Sequence, residues 1–460
     1  MTQLPPQPLS PLDGRYRDAV SALGDHLSEA ALNRARLRVE IEWLLFLTDH
    51  RMFGSEPLTA EQKTALRAVA TGFGEDDIRE LAVLEAGTRH DVKAVEYFLR
   101  SRLDALNIRG VSELVHFGAT SEDINNLSYA LCIDSALRAV WLPRFHSVIR
   151  RLHELAREHR AVPMLARTHG QPATPTTVGK EFAVFVARLG RISRQIDATE
   201  SLAKFSGATG TFAAHLAADP EADWAALSRE FVESLGLSWN PLTTQIESHD
   251  WQAELYARIS HANRVLHNLC TDVWTYISLG YFTQIPAEGA TGSSTMPHKV
   301  NPIRFENAES NLELSSAILE SLAATLVTSR LQRDLTDSSA QRNIGVGLGH
   351  SLLALDNILR GLDEIAVNEA QLARDLDDNW EVLAEAIQTV IRAEITAGRS
   401  TITDPYALLK ELTRGKHVGP EAFAEFIGGL DIGEDARGRL LALVPATYTG
   451  LASKLVGFLD

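Results

Sequence analysis

The most regular feature of the chain is a hydrophobic stripe that recurs every three or four residues through its middle third. This spacing places the apolar side chains on one face of an α-helix, and a long stripe is typical of helices packed lengthwise in a bundle. The stripe comprises Leu137, Trp141, Phe145, Val148, Leu152 and Leu155; Phe182, Phe185, Leu189, Ile192 and Ile196; and Leu255, Ile259, Ala262, Leu266, Leu269, Val273 and Tyr276. Alternating strand patterns are hard to find, so we predict an all-α fold.

Further helices are predicted on either side of this stripe. The chain turns helical over Ser28–Arg51, and again after Thr59, which is a good N-cap residue. Later helices are expected over about 306–330 and 347–362. Pro143 should kink or restart the first long helix, because proline lacks the N–H that a helix interior uses.

Polar breaks separate the helices, and each break contains side chains capable of chemistry. The breaks lie at 111–126, 167–175, 243–247, 287–307 and 333–343. Loops that follow helices of alternating direction cannot all lie at one end of one subunit. They converge if several subunits assemble and each donates a different loop to one shared cleft.

The pattern predicts three domains. An N-terminal helical domain covers 1–110, a central helical bundle covers 111–366, and a C-terminal domain of shorter, more often broken helices covers 367–460. Some central helices are apolar on more than one face, for example around Trp274. A single subunit would leave that surface wet, so we expect a homo-oligomer.

Composition and charge narrow the class of protein. The chain has 460 residues, of which 45% are apolar and 23% charged, and its net charge is −16. Without a run of Lys and Arg it lacks the basic face of a nucleic-acid binder. Cys132 and Cys270 lie inside apolar helical patterns and argue against a disulfide framework. The N-terminus does not read as a signal peptide and no stretch reads as a membrane span, so we expect a cytoplasmic protein without a membrane partner.

Motifs for metals and nucleotide phosphates are missing from the sequence. There is no His-Glu-x-x-His, no paired Cys-x-x-Cys and no Gly-x-x-x-x-Gly-Lys. The glycine-rich stretch 345–349 has no preceding strand, and we interpret it as a tight helix start. We therefore expect no metal and no cofactor.

The break at 287–307 is the most unusual stretch of the chain. It reads AEGATGSSTMPHKVNPIRFEN, in which glycines and prolines exclude an uninterrupted helix or a central strand. It is rich in hydroxyls and amides and carries a fixed positive charge at Lys299. Long loops in helical proteins are usually functional or disordered, and this one lacks the charge-rich composition of disorder. A flexible surface loop is the alternative interpretation.

Arginines and hydroxyls dominate the predicted cleft. Arg15, Arg89, Arg333 and Arg342 are its candidate anion-binding residues. A guanidinium group binds a carboxylate or phosphate through two parallel hydrogen bonds. The lining therefore favours a small polyanionic substrate.

His169 is the strongest candidate for a general acid or base. An unperturbed imidazole exchanges protons near neutral pH, and the neighbouring Thr168 and Gln171 form a polar setting. The alternative is a structural histidine that bridges loop carbonyls. Among the other histidines, His116 is equally consistent with a structural and a functional role, and His215 is expected to be structural.

Ser293 and Ser294 are candidates for the opposite proton transfer. A serine hydroxyl can act as a base only where positive charge and amide donors stabilise the alkoxide. Nearby glycines and Lys299 supply such surroundings, and Lys299 with Asn301 suits an enolate-like dianion. From the residues alone, either serine of the pair could be the base.

Several motifs resemble those of the fumarase/aspartase superfamily. The Gly-Ser-Ser-x-Met-Pro-x-Lys-x-Asn order of the 287–307 loop resembles the superfamily signature. The other stretches are SPLDGRY, TRHDVKAVEYFL, HFGATSEDINNLSYAL, RTHGQPATPTTVGKE and SRLQRDLTDSSAQRNIG. The Met-Pro-His-Lys-Val-Asn-Pro form resembles the members that cleave succinylated purine nucleotides.

This resemblance implies a fold, an assembly and an activity. The fold is the three-domain α fold, and the assembly is a homotetramer in which three subunits build each active site. The activity is elimination of fumarate, with His169 as general acid and Ser293 as general base. The substrate contacts carried over by position are Arg15, Tyr16, Arg89, His90, Asp91, Thr120, Ser121, Gln245, Ser294, Lys299, Val300, Asn301, Asn307, Arg333, Ser338 and Arg342. Arg89 departs from the pattern, because similar members often have asparagine there.

Two other functions stay open at this point. One is a different fumarate-releasing lyase of the superfamily, such as a lyase that acts on argininosuccinate. The other is a non-catalytic structural protein that uses the same fold. The joint presence of Ser293, Lys299 and His169 argues against the second.

Overall fold

Helices dominate the computed structural model, which describes residues 7–285, 296, 299–413 and 418–459. The helices up to residue 200 are α1 (Arg17–Val20), α2 (Gly24–Leu27), α3 (Glu29–Asp49), α4 (Ala60–Thr71), α5 (Glu75–Thr88), α6 (Asp91–Ala105), α7 (Ser121–Ala136), α8 (Leu142–Glu158) and α9 (Val178–Asp197). Those between residues 201 and 363 are α10 (Ala213–Ala218), α11 (Trp224–Ser234), α12 (Asp250–Ser278), α13 (Ile303–Leu326), α14 (Thr336–Gln341) and α15 (Ile344–Asp363). The C-terminal helices are α16 (Glu369–Asp377), α17 (Ala384–Thr396), α18 (Pro405–Thr413), α19 (Pro420–Gly428), α20 (Glu434–Leu441) and α21 (Ala452–Leu455).

Strands are short and form two-stranded pairs in the described part of the chain. The strands are β1 (Pro163–Thr168), β2 (Gln171–Thr177), β3 (Leu202–Ala203), β4 (Ser238–Trp239), β5 (Phe282–Gln284) and β6 (Ile365–Val367). Strands β1 and β2 are antiparallel, β3 and β4 are parallel, and β5 and β6 are antiparallel. The predominance of helices confirms the predicted all-α class.

Helix starts follow the capping residues that the sequence provides. The Ser28 side chain accepts a hydrogen bond from the Ala31 N–H at the start of α3. Thr59 and Gln62 form a reciprocal capping box at the start of α4. Both starts were predicted, because side-chain oxygens at these positions satisfy N–H groups that have no partner inside the helix.

The predicted break at 111–126 is wrong in its second half. Helix α7 begins at Ser121, and the Asp123 carboxylate accepts the Thr120 N–H at 2.8 Å. The run Thr120-Ser121-Glu122-Asp123 is therefore a helix-start signal and not a loop. Earlier in this stretch the chain is irregular apart from one 3₁₀ turn, Ser112–Leu114.

The first long helix restarts where the prediction placed its proline. A π-helical turn, Leu137–Trp141, follows α7, and α8 then starts at Leu142. Pro143 thus lies in the first turn of α8, directly after a π-helical turn whose flanking residues Ala136 and Leu142 keep helical backbone angles.

The predicted loop at 167–175 is instead part of a β-hairpin. Strands β1 and β2 pair from Thr168 and Gln171 back to Pro163 and Thr177. The two connecting residues, His169 and Gly170, both have positive φ, at 54° and 75°. This is the conformation of a type I′ turn, which matches the twist of a tight hairpin. The proline-containing sequence concealed the strands because prolines are rare in sheets except at edges.

The chain forms two compact units. Unit 1 comprises Met1–Phe145, Ile192–Leu266 and Ser310–Asp356. Unit 2 comprises His146–Arg191, His267–Glu309 and Asn357–Asp460. The three-domain division at residues 110 and 366 stays a prediction.

Each unit has its own packed interior. In unit 1 the buried Trp43 ring lies 4.2 Å from Phe205 and 4.8 Å from Phe231, measured between ring centroids. Such aromatic contacts stabilise a core beyond the burial of their area. In unit 2 the C-terminal helices enclose a cluster that consists of Leu383, Ile387, Ile391, Leu409, Val418, Phe423, Ile427, Leu430, Ile432, Ala436 and Leu440.

The described helices differ in length or apolarity from a membrane-spanning helix. No single helix among them is long and apolar enough to cross a membrane, while one pair, Glu434–Leu441 with Pro445–Leu459, passes on length and composition but is bent by 98°.

Candidate active site

Asp91 is the centre of a cluster of charged side chains in unit 1. It is the first residue of α6, and its Oδ2 atom lies 2.7 Å from the Arg36 guanidinium and 3.4 Å from that of Arg342. Burial would raise the pKa of the Asp91 carboxyl, but the charge and hydrogen bond of Arg36 hold that pKa below its usual value. Arg342 also donates to the Ser338 hydroxyl at 3.1 Å. The structure thus brings together three predicted substrate contacts, Asp91, Ser338 and Arg342.

Arg333 lies between two buried carboxylates of the same unit. Its guanidinium is 2.7 Å from Glu122 Oε1, in an ion pair without hydrogen-bond geometry, and 3.9 Å from Asp337 Oδ1. On its other side, Asp337 lies 3.3 Å from Nε2 of the buried His249. Burial raises the pKa of the Asp337 carboxyl, yet the contacts with His249 and Arg333 lower it overall. Arg333 is therefore held by charge at a half-buried position, as a binding arginine requires.

The start of α7 carries two more predicted contacts. Ser121 Oγ lies 3.5 Å from His90 Nε2, while His90 Nδ1 accepts the Lys93 N–H at 3.2 Å and so caps α6. Because Nδ1 accepts, the ring carries its proton on Nε2 when neutral, facing Ser121. Thr120 is the N-cap residue of α7. These two helix starts, at α6 and α7, place hydroxyl and imidazole groups side by side.

The remaining predicted residues of unit 1 lie on separate segments. Arg15 lies 5.9 Å from the centre of the Tyr16 ring, on the segment that leads into α1. Arg89 ends α5 in the left-handed conformation, with φ of 54°. Gln245 donates to the Ala208 carbonyl at 3.0 Å.

A cavity joins the N-terminal segment to the Asp91 cluster. Its volume is about 330 Å³, and Asp13 and Arg17 line it together with Arg342. The cavity therefore lies between the segment that carries Arg15 and Tyr16 and the start of α15.

His169 is exposed at the tip of the β1–β2 hairpin in unit 2. Arg167, two residues earlier, forms an ion pair of 2.8 Å with Asp375 of α16, and Asp375 also accepts the Tyr281 hydroxyl. The hairpin is therefore anchored next to its tip by the ion pair of Arg167 with Asp375, and the Tyr281 hydroxyl holds the same carboxylate. An exposed histidine at the tip of an anchored two-residue turn has its ring nitrogens accessible to a bound molecule.

The loop at 287–307 is described only from residue 299 onward, apart from Met296. Lys299 and Val300 are exposed, and the Val300 carbonyl accepts from Gln284 at 2.6 Å. Asn301 is half-buried just before α13, and Asn307 lies in the first turns of α13. Ser293 and Ser294 lie outside the described residues. Within the described ranges, no group of three or more His, Cys, Asp or Glu side chains has an arrangement that could hold a metal ion.

Two histidines outside the site are well explained by packing. His116 Nδ1 lies 2.6 Å from the buried Glu40, and its Nε2 lies 3.8 Å from Glu96. His215 is buried among aromatic rings that include Phe212 and Trp224. These surroundings are those of structural histidines.

The sequence analysis missed the buried residues behind the cluster. Arg36, Glu122 and Asp337 contact predicted site residues. Asn125 and His249 lie one contact further away, Asn125 on Arg36 and Glu122, and His249 on Asp337. A signal existed for Arg36, which occupies a core-facing position of α3 between apolar residues. A charged residue on such a face is rarely tolerated without a buried partner.

Family models match nearly all of this chain. A model described as "Lyase" matches residues 14–313, and one described as "Adenylosuccinate lyase C-terminal" matches residues 329–449. Among curated proteins, the adenylosuccinate lyase of Escherichia coli (strain K12) is 48% identical over 450 residues, which are 97% of each chain. That of Haemophilus influenzae is 47% identical over 450 residues, again 97% of each chain.

Solved structures support the fold. The structure of a fumarate lyase from Mesorhizobium sp. BNC1 superposes with a TM-score of 0.74 at 19% identity, over 95% of this chain and 97% of that one. A 3-carboxy-cis,cis-muconate lactonizing enzyme from Pseudomonas putida gives 0.73 at 20% identity, over 95% and 96%. These likenesses confirm the fumarase/aspartase-like fold, and the sequence matches go further. The chain belongs to the adenylosuccinate lyase family of the fumarase/aspartase superfamily of lyases.

Proposed function

We propose that this enzyme releases fumarate from adenylosuccinate, leaving AMP, and from succinylaminoimidazole carboxamide ribotide, leaving aminoimidazole carboxamide ribotide. The observation that carries the proposal is the 48% identity to a curated adenylosuccinate lyase over 97% of both chains. We further propose that it acts in the cytoplasm as a homotetramer, without a nucleic-acid or membrane partner.

The chemistry is an anti β-elimination with two proton transfers. Ser293 removes a proton from the succinyl carbon next to a carboxylate, which leaves an aci-carboxylate dianion. The electron pair then forms the C=C bond of fumarate as the C–N bond breaks, and His169 gives a proton to the leaving nitrogen. Solvent exchange restores both groups afterwards. Proton transfer and charge stabilisation suffice for these steps, so we propose no cofactor.

The described geometry supports this division of labour. The exposed tip position of His169 suits a proton donor that reaches a substrate held elsewhere. Arg333 and Arg342 supply paired donors for the substrate's anionic groups, and Lys299 is exposed for the developing dianion. The three domains at 1–110, 111–366 and 367–460 are proposed as the frame that carries these parts.

The substrate assignment is tested by measuring fumarate release. We expect turnover of both succinylated purine substrates and none of argininosuccinate. Fumarate released from argininosuccinate alone would refute the proposal and show that the enzyme is a lyase that acts on argininosuccinate. No fumarate from any of the three would favour a non-catalytic relative.

The acid and base roles are tested by His169→Asn and Ser293→Ala. Asparagine is favoured at the first position of a type I′ turn, so His169→Asn removes the imidazole and keeps the hairpin. We expect each variant to lower kcat by about 10²–10⁴-fold. His50→Asn is the matched control, because His50 is an exposed histidine whose polar side-chain contacts are a 3.4 Å ion pair with the exposed Glu230 and a 2.9 Å contact with the Phe46 carbonyl of its own helix. Near-normal turnover of either site variant would refute its role, and a smaller loss in Ser294→Ala would assign the base to Ser293.

A further inference from the structure

We propose that Arg36 is a positioning residue that holds the carboxylate partners of Arg333 and Arg342, so that both arginines keep donors for an anionic substrate. The inference rests on the proposed function, in which those two arginines contact the substrate. Arg36 itself is only 1% exposed, so it acts through the side chains that it contacts.

Arg36 makes hydrogen bonds to three neighbouring side chains. All three of its guanidinium nitrogens donate: Nε to Asn125 Oδ1 at 2.9 Å, one terminal nitrogen to Asn33 Oδ1 at 2.8 Å, and the other to Asp91 Oδ2 at 2.7 Å. A planar fork can satisfy acceptors in three directions at once, whereas a lysine ammonium on a flexible stem cannot hold them all in one plane. Arg36 therefore fixes where Asp91 and Asn125 lie.

Asp91 links Arg36 to Arg342. Asp91 is shared between the two guanidinium groups, at 2.7 Å from Arg36 and 3.4 Å from Arg342. The nearer partner satisfies most of the carboxylate's charge, so Asp91 holds Arg342 only loosely. Without Arg36, the half-buried Asp91 would have Arg342 as its remaining guanidinium partner and would compete with substrate for it.

Asn125 and Glu122 link Arg36 to Arg333. Asn125 accepts from Arg36 and in turn donates through Nδ2 to Glu122 Oε1 at 2.7 Å, and the same oxygen lies 2.7 Å from Arg333. The amide thus orients a buried carboxylate, and the carboxylate orients the arginine. Networks of this kind in a low-dielectric interior act as a unit.

Carboxylates outnumber arginines around Arg333 and Arg342. Arg333 and Arg342 lie within 4 Å of four carboxylates, those of Glu29, Asp91, Glu122 and Asp337. Arg36 is a buried cation that reduces this excess of negative charge. Its removal would make the cluster more negative, and an anionic substrate would bind less tightly.

The test is the kinetics of Arg36→Met, which keeps the apolar stem and removes the fork. We expect KM for adenylosuccinate to rise about tenfold, the loss of one charge-assisted hydrogen bond, while kcat changes less than about threefold. Binding of AMP and of fumarate, measured by calorimetry without turnover, should weaken for at least one of these probes. Arg36→Lys should recover part of the affinity, because it restores the charge and not the fork.

Asn263→Ala is the matched control for loss of a buried polar side chain. Asn263 is also fully buried in unit 1, but it bonds Ser315 and Ser351 between the bundle helices. This variant should lower the Tm and leave KM unchanged. If Arg36→Met does not fold, Arg36→Lys decides, with an expected threefold to tenfold rise in KM.

A folded Arg36 variant with wild-type KM and wild-type affinity for both probes would overturn the inference. Absence of turnover by the wild-type enzyme is a different result and would overturn the proposed function. Should the wild-type enzyme also bind neither AMP nor fumarate, the inference falls with it.

Discussion

Buried charge is the most informative feature at the scale of single residues. Glu40 is 0% exposed, and it accepts both the ring nitrogen and the backbone N–H of His116, at 2.6 and 3.0 Å. His116 also adopts φ of 59°, a conformation that few non-glycine residues hold without support. The ion pair and the local backbone conformation therefore stabilise each other.

We expect His116→Ala to destabilise unit 1 strongly. Removing one partner leaves the Glu40 carboxylate buried without its counter-charge, which costs about 3 kcal/mol in comparable sites. Thermal or denaturant unfolding measures this loss. His50→Ala breaks the exposed ion pair of His50 with Glu230 and should lower the free energy of unfolding by only about 0.5 kcal/mol. Equal losses of unfolding free energy in the two variants would contradict the expected role of the buried Glu40.

The same pair predicts a pH dependence of stability. Burial lowers the pKa of His116, but the hydrogen bond and charge of Glu40, with Glu96 and Asp123, raise that pKa overall. A raised pKa in the folded state means that the stabilisation is complete below the unfolded value of about 6.5 and is lost as pH rises through the folded pKa. The difference in unfolding free energy between wild type and His116→Gln should therefore shrink as pH rises above about 6.5. A difference that grew with pH would reverse the sign of this coupling.

At the scale of elements, the β1–β2 hairpin is the feature on which the proposed chemistry depends. Its two-residue turn presents His169, and the strand next to this turn is tied to α16 through Arg167 and Asp375. Tyr281 donates to the same carboxylate, so Asp375 holds two elements at once. The position of the proposed catalytic imidazole is thus set by a residue more than 200 positions later in the sequence.

We expect Asp375→Ala to lower kcat by about tenfold while KM changes less than threefold. A displacement of about 1 Å in a catalytic group can cost up to about 10²-fold in rate, and the loosened hairpin still carries its histidine. Steady-state kinetics separates the two constants. Asp377→Ala is the control, since Asp377 is an exposed aspartate at the end of the same helix. Unchanged kcat in Asp375→Ala would show that the hairpin holds its position without this anchor.

At the scale of the whole molecule, the predicted site residues are divided between the two units of the chain. The predicted contacts Asp91, Ser338 and Arg342 meet within unit 1, while His169 and Lys299 belong to unit 2. In the proposed homotetramer, different subunits donate these parts to each site.

Subunit mixing tests the shared site. His169→Asn and Ser293→Ala are each expected to be inactive, and they should regain activity when unfolded together and reassembled. With random mixing, about half of the hairpins and half of the serine loops are intact, so about a quarter of the sites can work. Separate refolding of each variant is the control. Activity that stays at the level of the separate variants would argue that both groups come from one subunit.

The sequence by itself determined the fold class, the starts of α3 and α4, and the family. Apolar positions at helical spacing require a buried helix face, and cap residues such as Ser28 and Thr59 satisfy the first N–H groups by local contacts alone. The residue types of the proposed site were chosen from the sequence as well, because proton transfer and anion binding need imidazole, hydroxyl and guanidinium groups. These properties depend on neighbours within a few residues along the chain.

Only the tertiary structure decided which side chains support the site. Arg36 meets Asn125 and Asp91 across 89 and 55 positions, and Arg342 meets Asp91 across 251. The sequence predicted a loop where β1 and β2 form a hairpin, because pairing depends on a register that local propensity does not specify. Long-range contacts of this kind arise from the path of the chain, so the residues that position the arginines and His169 became visible only once the helices and strands were assembled.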